Sequence, residues 1–312
     1  MGVCDSWNNS DFSFFKSKEK TNSKKNSFSS KYQKKNYYNA PIKEEKCKSC
    51  NGTIGVCAEC NEGYALNKNG TCVLEDDFHM KAIYRTIYEN EYVEFMSSTA
   101  IIKMTINGTL IANIKYYYTF PLPGNHEIYI KFSSASIYFA HLFTDITHLI
   151  YIEFLPKAKL LPINLMNDCF AGCTNLTHAD LSNLNLKNNR CFMNFFKGDI
   201  KLTFVKFPDE EFSNIYWYYR MFYGCVSLTS IDMCMIHNTQ GEYFYEMFYG
   251  CKNFKSIDLS GFNKSYNGNS KYDTFIDESE DANIAVHINF YNSISYQLEK
   301  YKNVKTNKKI EN

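Results

Sequence analysis

The sequence carries almost no net charge: 34 Lys and Arg stand against 33 Asp and Glu in 312 residues, a balance of +1. Nucleic-acid binding, which calls for a basic excess, is therefore not indicated. No apolar run approaches the ~18 residues that a membrane-spanning helix needs. Met1 is not followed by a charged-then-apolar signal region either. Catalytic signatures are missing too. The seven histidines are dispersed, and no HExxH, GxSxG, P-loop or dinucleotide fingerprint occurs. The chain reads as a non-enzyme with no cofactor, no resident metal and no small-molecule substrate.

What the sequence does have is a period. Met221–Met233, MFYGCVSLTSIDM, returns 26 residues later as Met247–Leu259, MFYGCKNFKSIDL. Stepping back by 26 from Phe222 reaches Phe196, with Gly198, Leu202, Val205 and Phe207, then Phe170, with Gly172, Cys173, Leu176, Ala179 and Leu181. One step of 27 reaches Phe143, followed by Leu149, Ile152 and Phe154. Self-similarity at a fixed period of this length marks a repeat architecture of the leucine-rich type. In Leu-x-x-Leu-x-Leu the last two apolar residues are two apart, so both face one side of a short strand. Phe192 and Phe196, Tyr218 and Phe222, and Phe244 and Phe248 are i, i+4 pairs, which predicts a helical turn before each strand. The expected fold is an α+β repeat: a short leucine-rich-repeat solenoid of parallel sheet plus helical turns, with Phe170, Phe196, Phe222 and Phe248 in an internal column. Cys173, Cys225 and Cys251 fall one per turn and are read as small buried thiols.

The pattern GCxxLxxIDLSxF preceded by MF resembles the BspA-like leucine-rich repeats of mycoplasma-lipoprotein type, with relatives among protist surface proteins. The likeness covers about Phe143–Phe262 and is sharpest in the last two units; Asp199 replaces the cysteine in one unit. The resemblance implies a binding and adhesion scaffold at a cell surface.

Ahead of the repeats the chain divides by composition. Residues 1–45 are rich in Lys, Ser and Asn and are expected to be disordered. Met1-Gly2-Val3-Cys4-Asp5-Ser6 fits the N-myristoylation pattern, so Gly2 and Cys4 are lipidation candidates backed by lysines from Lys16 to Lys35. In residues 46–74, Cys47, Cys50, Cys57 and Cys60 precede Gly63-Tyr64-x-Leu66 and Cys72. This layout resembles an EGF-like or growth-factor-receptor cysteine-rich module. The resemblance implies a small disulfide-rich module, with Cys60–Cys72 closing the turn, and an oxidising compartment. The competing reading is a zinc site of Cys47, Cys50, Cys57 and Cys60. Six Asn-x-Ser/Thr sites (Asn8, Asn51, Asn69, Asn107, Asn175, Asn263) do not decide between the two sides of a membrane.

Residues 78–140 hold short β-branched and aromatic runs with a hairpin signal at Asn107-Gly108, and are expected to form a β-rich N-terminal cap over the first repeat. Residues 141–290 are the repeats, and 291–312 a Lys- and Asn-rich tail. If each repeat motif is a strand, its outward positions form two columns. One is Tyr151, His178, Phe204, Ser230 and Ser256; the other is Glu153, Asp180, Lys206, Asp232 and Asp258. The aromatic patch bordered by carboxylates suits a basic peptide or a sugar. The expected function is non-catalytic binding of a protein or glycan at the cell surface. The alternative is a cytosolic scaffold held at the inner membrane face by myristoylation and lysines, with zinc in the cysteine module.

Overall fold

A computed structural model describes residues 47–50, 57–60, 64–66, 72–74, 77–97, 100–134, 138–210, 213–236, 243–262, 283–287, 291–292, 298–299 and 302–307. It divides into two units, 1–75 and 76–312. In the first, β1 (Cys47–Cys50) pairs antiparallel with β2 (Cys57–Cys60), and β3 (Tyr64–Leu66) with β4 (Cys72–Leu74). The backbone register sets Cys47 opposite Cys60, Cys50 opposite Cys57, and Cys72 opposite Leu66.

The second unit is a β-solenoid of about four turns joined to an antiparallel sheet. Its strands are β5 (Met80–Thr86), β6 (Glu91–Glu94), β7 (Ile101–Ile106), β8 (Thr109–Leu110), β9 (Tyr117–Phe120) and β10 (Gly124–Phe132), then the strands of the parallel ladders. Those are β11 (Leu149–Phe154), β12 (His178–Asp180), β13 (Phe204–Lys206), β14 (Ser230–Asp232), β15 (Ser256–Leu259), β16 (Asn283–His287) and β17 (Asn303–Asn307). One sheet runs β13-β12-β11-β5-β10-β7-β8, and a second runs β14-β15-β16-β17. β5 pairs antiparallel with β11, so the first coil meets the sheet ahead of it without an open edge. Alternation drives this pairing: Met80, Ala82 and Tyr84 are buried, whereas Lys81, Ile83 and Arg85 face outward. The parallel ladder also reaches Asn303–Asn307, within the segment expected to be a tail.

The expected helical turns do not form. Between Phe139 and Phe262 the only helical segment is one 3-10 turn, Pro156–Leu160, among the described residues. The residues before each strand alternate in hand instead. Asp168, Asn194, Arg220 and Glu246 have φ of 51–54°, and four residues later Gly172, Gly198, Gly224 and Gly250 have φ of 74–83°. Two left-handed residues per turn break a helix and swing every second N–H sideways. Phe192, Asn194, Phe196 and Gly198 thus donate to the carbonyls of Trp217, Tyr219, Met221 and Tyr223 on the next coil, at 2.7–2.8 Å. The intervening Phe195, Lys197 and Asp199 amides close local turns onto Phe192, Asn194 and Phe196. The recurrent glycine serves that left-handed position, and in the first coil Asp145 adopts it with φ 59°.

The α+β leucine-rich-repeat expectation is thereby corrected to an all-β coil: hydrogen bonds run between coils on the turn side as well as the strand side. Among the described side chains, Cys169, Cys173, Cys191, Cys225 and Cys251 are free and buried, and Cys234 is disulfide-bonded. The disulfides expected of the cysteine-rich module fall on other residues. The side chains of Cys47, Cys50, Cys57, Cys60 and Cys72 lie outside the described residues.

Phe143, Phe170, Phe196, Phe222 and Phe248 stack along the coil interior with ring centroids 5.1–5.6 Å apart and planes within 14°. A second interior column follows the Gly. Cys173, Cys225 and Cys251 each donate Sγ–H to a carbonyl of the preceding coils (Phe143, Phe196, Phe222) at 3.0–3.1 Å. Burial pushes the Cys173 and Cys225 thiols well above their usual range. They are structural groups rather than nucleophiles.

Candidate functional site

The outward residues of β11, β12 and β13 come together. The parallel register sets Tyr151 beside His178 and His178 beside Phe204, with Glu153, Asp180 and Lys206 in the next row. The three rings stack: centroids are 4.7 Å apart for Tyr151 and His178, and 4.2 Å for His178 and Phe204, with planes within 12°. All three are half-buried. Parallel in-register strands make such a ladder by bringing like positions to about 4.8 Å.

The ladder is electrically quiet. Burial holds the His178 imidazole below its ordinary value, opposed by the charges of Asp180 and Glu153, which favours the neutral ring at neutral pH. Tyr151 Oη donates to Glu153 Oε2 at 2.9 Å. Burial, with that hydrogen bond and the Glu153 charge, pushes the Tyr151 phenol up to about 12. The face continues across the same sheet onto β5, where Ile83 lies opposite Tyr151 and Lys81 opposite Glu153. Lys81 is ion-paired to Glu127 at 2.7 Å and sits over the Tyr129 ring. This extension was legible in the alternation of Met80–Thr86, but an antiparallel strand docked on the repeat sheet leaves no repeat signal.

The acidic column is largely structural. Asp180, Asp232 and Asp258 each accept the amide two residues on (Ser182, Cys234, Ser260) at 2.8–3.0 Å, closing the turn that follows the strand. Asp258 is only 6% exposed. Burial raises its carboxyl above the usual range and the Asp232 charge adds to this, while the Ser260 amide opposes. Asp258 is thus withdrawn from any ligand, contrary to its expected place in the binding column. Asp258→Ala should cost about 1 kcal/mol through the lost turn bond, and Asp258→Asn should recover most of it. Denaturant midpoints of the two variants check this. Asp232, Cys234 and Asp258 gather their ligand atoms within 4.8 Å. Both carboxylates hold backbone amides and Cys234 is disulfide-bonded, so the trio is no free metal set.

Ser230 and Ser256 are in register with each other on the second sheet. No strand hydrogen bond joins β13 to β14. The first column therefore divides into three rings and two serines. On the turn side, Tyr219 stacks on Tyr245 and Tyr223 on Tyr249, with the Arg220 guanidinium over Tyr219 and Tyr223 and ion-paired to Glu246. Those side chains satisfy one another. A polar cleft of about 540 Å3 opens among Asn164, Asn188, Arg190 and Tyr216.

Gly2 and Cys4 lie outside the described residues. No helix among the described residues is long and apolar enough to cross a membrane. Comparison with family models, with curated proteins and with solved structures finds no match for this chain.

Proposed function

We propose that this is a non-catalytic binding protein that takes a protein or glycan partner on the outward face of β11, β12 and β13. The stacked, half-buried ladder of Tyr151, His178 and Phe204 carries the reading. Rigid aromatic side chains on paired strands offer apolar contact with little ordering cost on binding, and Glu153 and Lys206 supply polar groups at the border. The absence of catalysis is supported by chemistry: the described thiols of the interior column are buried and hydrogen-bonded, and His178 is enclosed between two rings. The partner is sought by arraying glycans and basic peptides against the purified chain. Truncating Tyr151 and Phe204 together to Ala should weaken any specific binding about tenfold or more, with a modest fall in melting temperature and a cooperative fold kept, because neither ring is in the interior stack. Full binding by the double variant would remove this face from the function.

A further inference from the structure

We infer that the outer ladder is built one ring short, and that the open place beyond Phe204 takes a pyranose ring of a glycan. The inference rests on the reading of this face as the binding surface and names the class of ligand.

His178 has an aromatic ring on each side, but among the described residues Phe204 has one only on the His178 side. Its planes are nearly parallel to those of His178, so its second face is directed along the coil axis to the next repeat. There the same position is Ser230, and after it Ser256. A serine side chain ends one bond beyond Cβ, so among the described residues no ring fills over the fourth and fifth coils the layer that rings occupy in the first three. A flat ligand seated there meets Phe204 at the spacing the protein already uses for its own rings.

The border of that place is polar. Among the described residues the hydroxyls of Ser230 and Ser256 have no hydrogen-bond partner, and the exposed Lys206 has no ion pair. Asp232 is exposed and uses Oδ1 for the Cys234 amide, which leaves its second oxygen as an acceptor. An aromatic side chain from a partner would cover Phe204 but strip water from these groups without replacing their hydrogen bonds, at a cost for each. A pyranose has one face of C–H bonds, which packs on an aromatic ring, and a rim of hydroxyls that both donate and accept. That combination fits a ring platform edged by two hydroxyls, an ammonium and a carboxylate.

Saturation-transfer NMR on the full chain tests this with methyl glucoside, galactoside and mannoside, N-acetylglucosamine and glucuronate, and with N-acetyltyrosinamide for comparison. At least one pyranose should receive saturation, strongest on its C–H face. Ser230→Tyr should abolish the signal by completing the ladder, and should melt no lower than the parent because the new ring has Phe204 to stack on. Ser230→Ala leaves the place open and should keep the signal, weakened severalfold. Phe204→Ala removes the platform and should lose it, which tests the site even if Ser230→Tyr folds poorly. No pyranose signal, a signal that survives Phe204→Ala or a folded Ser230→Tyr, or saturation of N-acetyltyrosinamide alone overturns the inference. A ligand that is lost with the Tyr151 and Phe204 truncations but kept by Ser230→Tyr leaves the face as the binding surface and removes only the pyranose place.

Discussion

Phe222→Ala is expected to destabilise the second unit by about 3–5 kcal/mol, the range for a fully buried aromatic cut to a methyl. Phe222 is wholly buried and stacked on both sides, 5.6 Å from Phe196 and 5.5 Å from Phe248. Its loss opens a cavity and also breaks two ring contacts, each worth about 0.5–1.5 kcal/mol beyond area burial. A coil contacts mainly its neighbours, so the damage should spread to the adjoining coils before the rest. Hydrogen exchange should show this first at the amides of Phe196 and Gly198, which are bonded to the carbonyls of Met221 and Tyr223. Phe222→Leu, which keeps most of the volume, should lose less than half as much. A Phe222→Ala variant that unfolds at the parent's denaturant midpoint would sink the interior stack.

The interior stack was legible because a coil repeat puts one residue per period at the same height, and Phe170, Phe196, Phe222 and Phe248 are 26 apart. The strands were legible for the same reason. The turn between them was not. Pairs such as Phe192 and Phe196 share a face in a helix, but they also share the interior when every second residue of a hand-alternating turn points inward. Only the left-handed positions tell the two apart, and these are Asp, Asn, Arg and Glu in one column. Asn and Asp tolerate that conformation; Arg and Glu advertise nothing. The glycine of Phe-Tyr-Gly-Cys was the better clue, since a glycine recurring inside a supposed helix weakens the helix.

The candidate site was half legible. Period two within a strand put Tyr151, His178 and Phe204 on one outward column, and the parallel register delivered them as a stack. The same arithmetic misplaced Asp258, because periodicity cannot show that the turn after β15 folds back over its carboxylate. Nor does it reveal that the ladder of strand hydrogen bonds pauses between β13 and β14.

Asp199→Cys should stabilise the protein at neutral pH by about 1–3 kcal/mol, the usual cost of a buried polar group without partners. Asp199 stands where the other coils have Cys173, Cys225 and Cys251, and both of its oxygens are buried without a hydrogen bond of good geometry. Burial pushes its carboxyl well above the usual range; the nearby amides of Cys173 and Gly172 oppose this, and the Asp145 charge adds to it. The folded state therefore holds this proton more tightly than the unfolded chain, whose ordinary value is 3.8. Below 3.8 the carboxyl is protonated in both states. As pH rises above it the unfolded chain ionises first, so the parent loses stability until the folded carboxyl ionises too, at up to about 1.4 kcal/mol per pH unit. The advantage of Asp199→Cys should accordingly be small near pH 4, grow toward neutrality and then level off. Urea unfolding of parent and variant under reductant from pH 4 to 8 measures it, and the difference between the two cancels the titration of distant groups. Asp199→Asn, uncharged but still polar, should remove the pH dependence while recovering only part of the stability. A gain equal at every pH would mean that the carboxylate reaches water in the folded coil. A loss on Asp199→Cys would mean that it holds a partner that the cysteine column cannot replace.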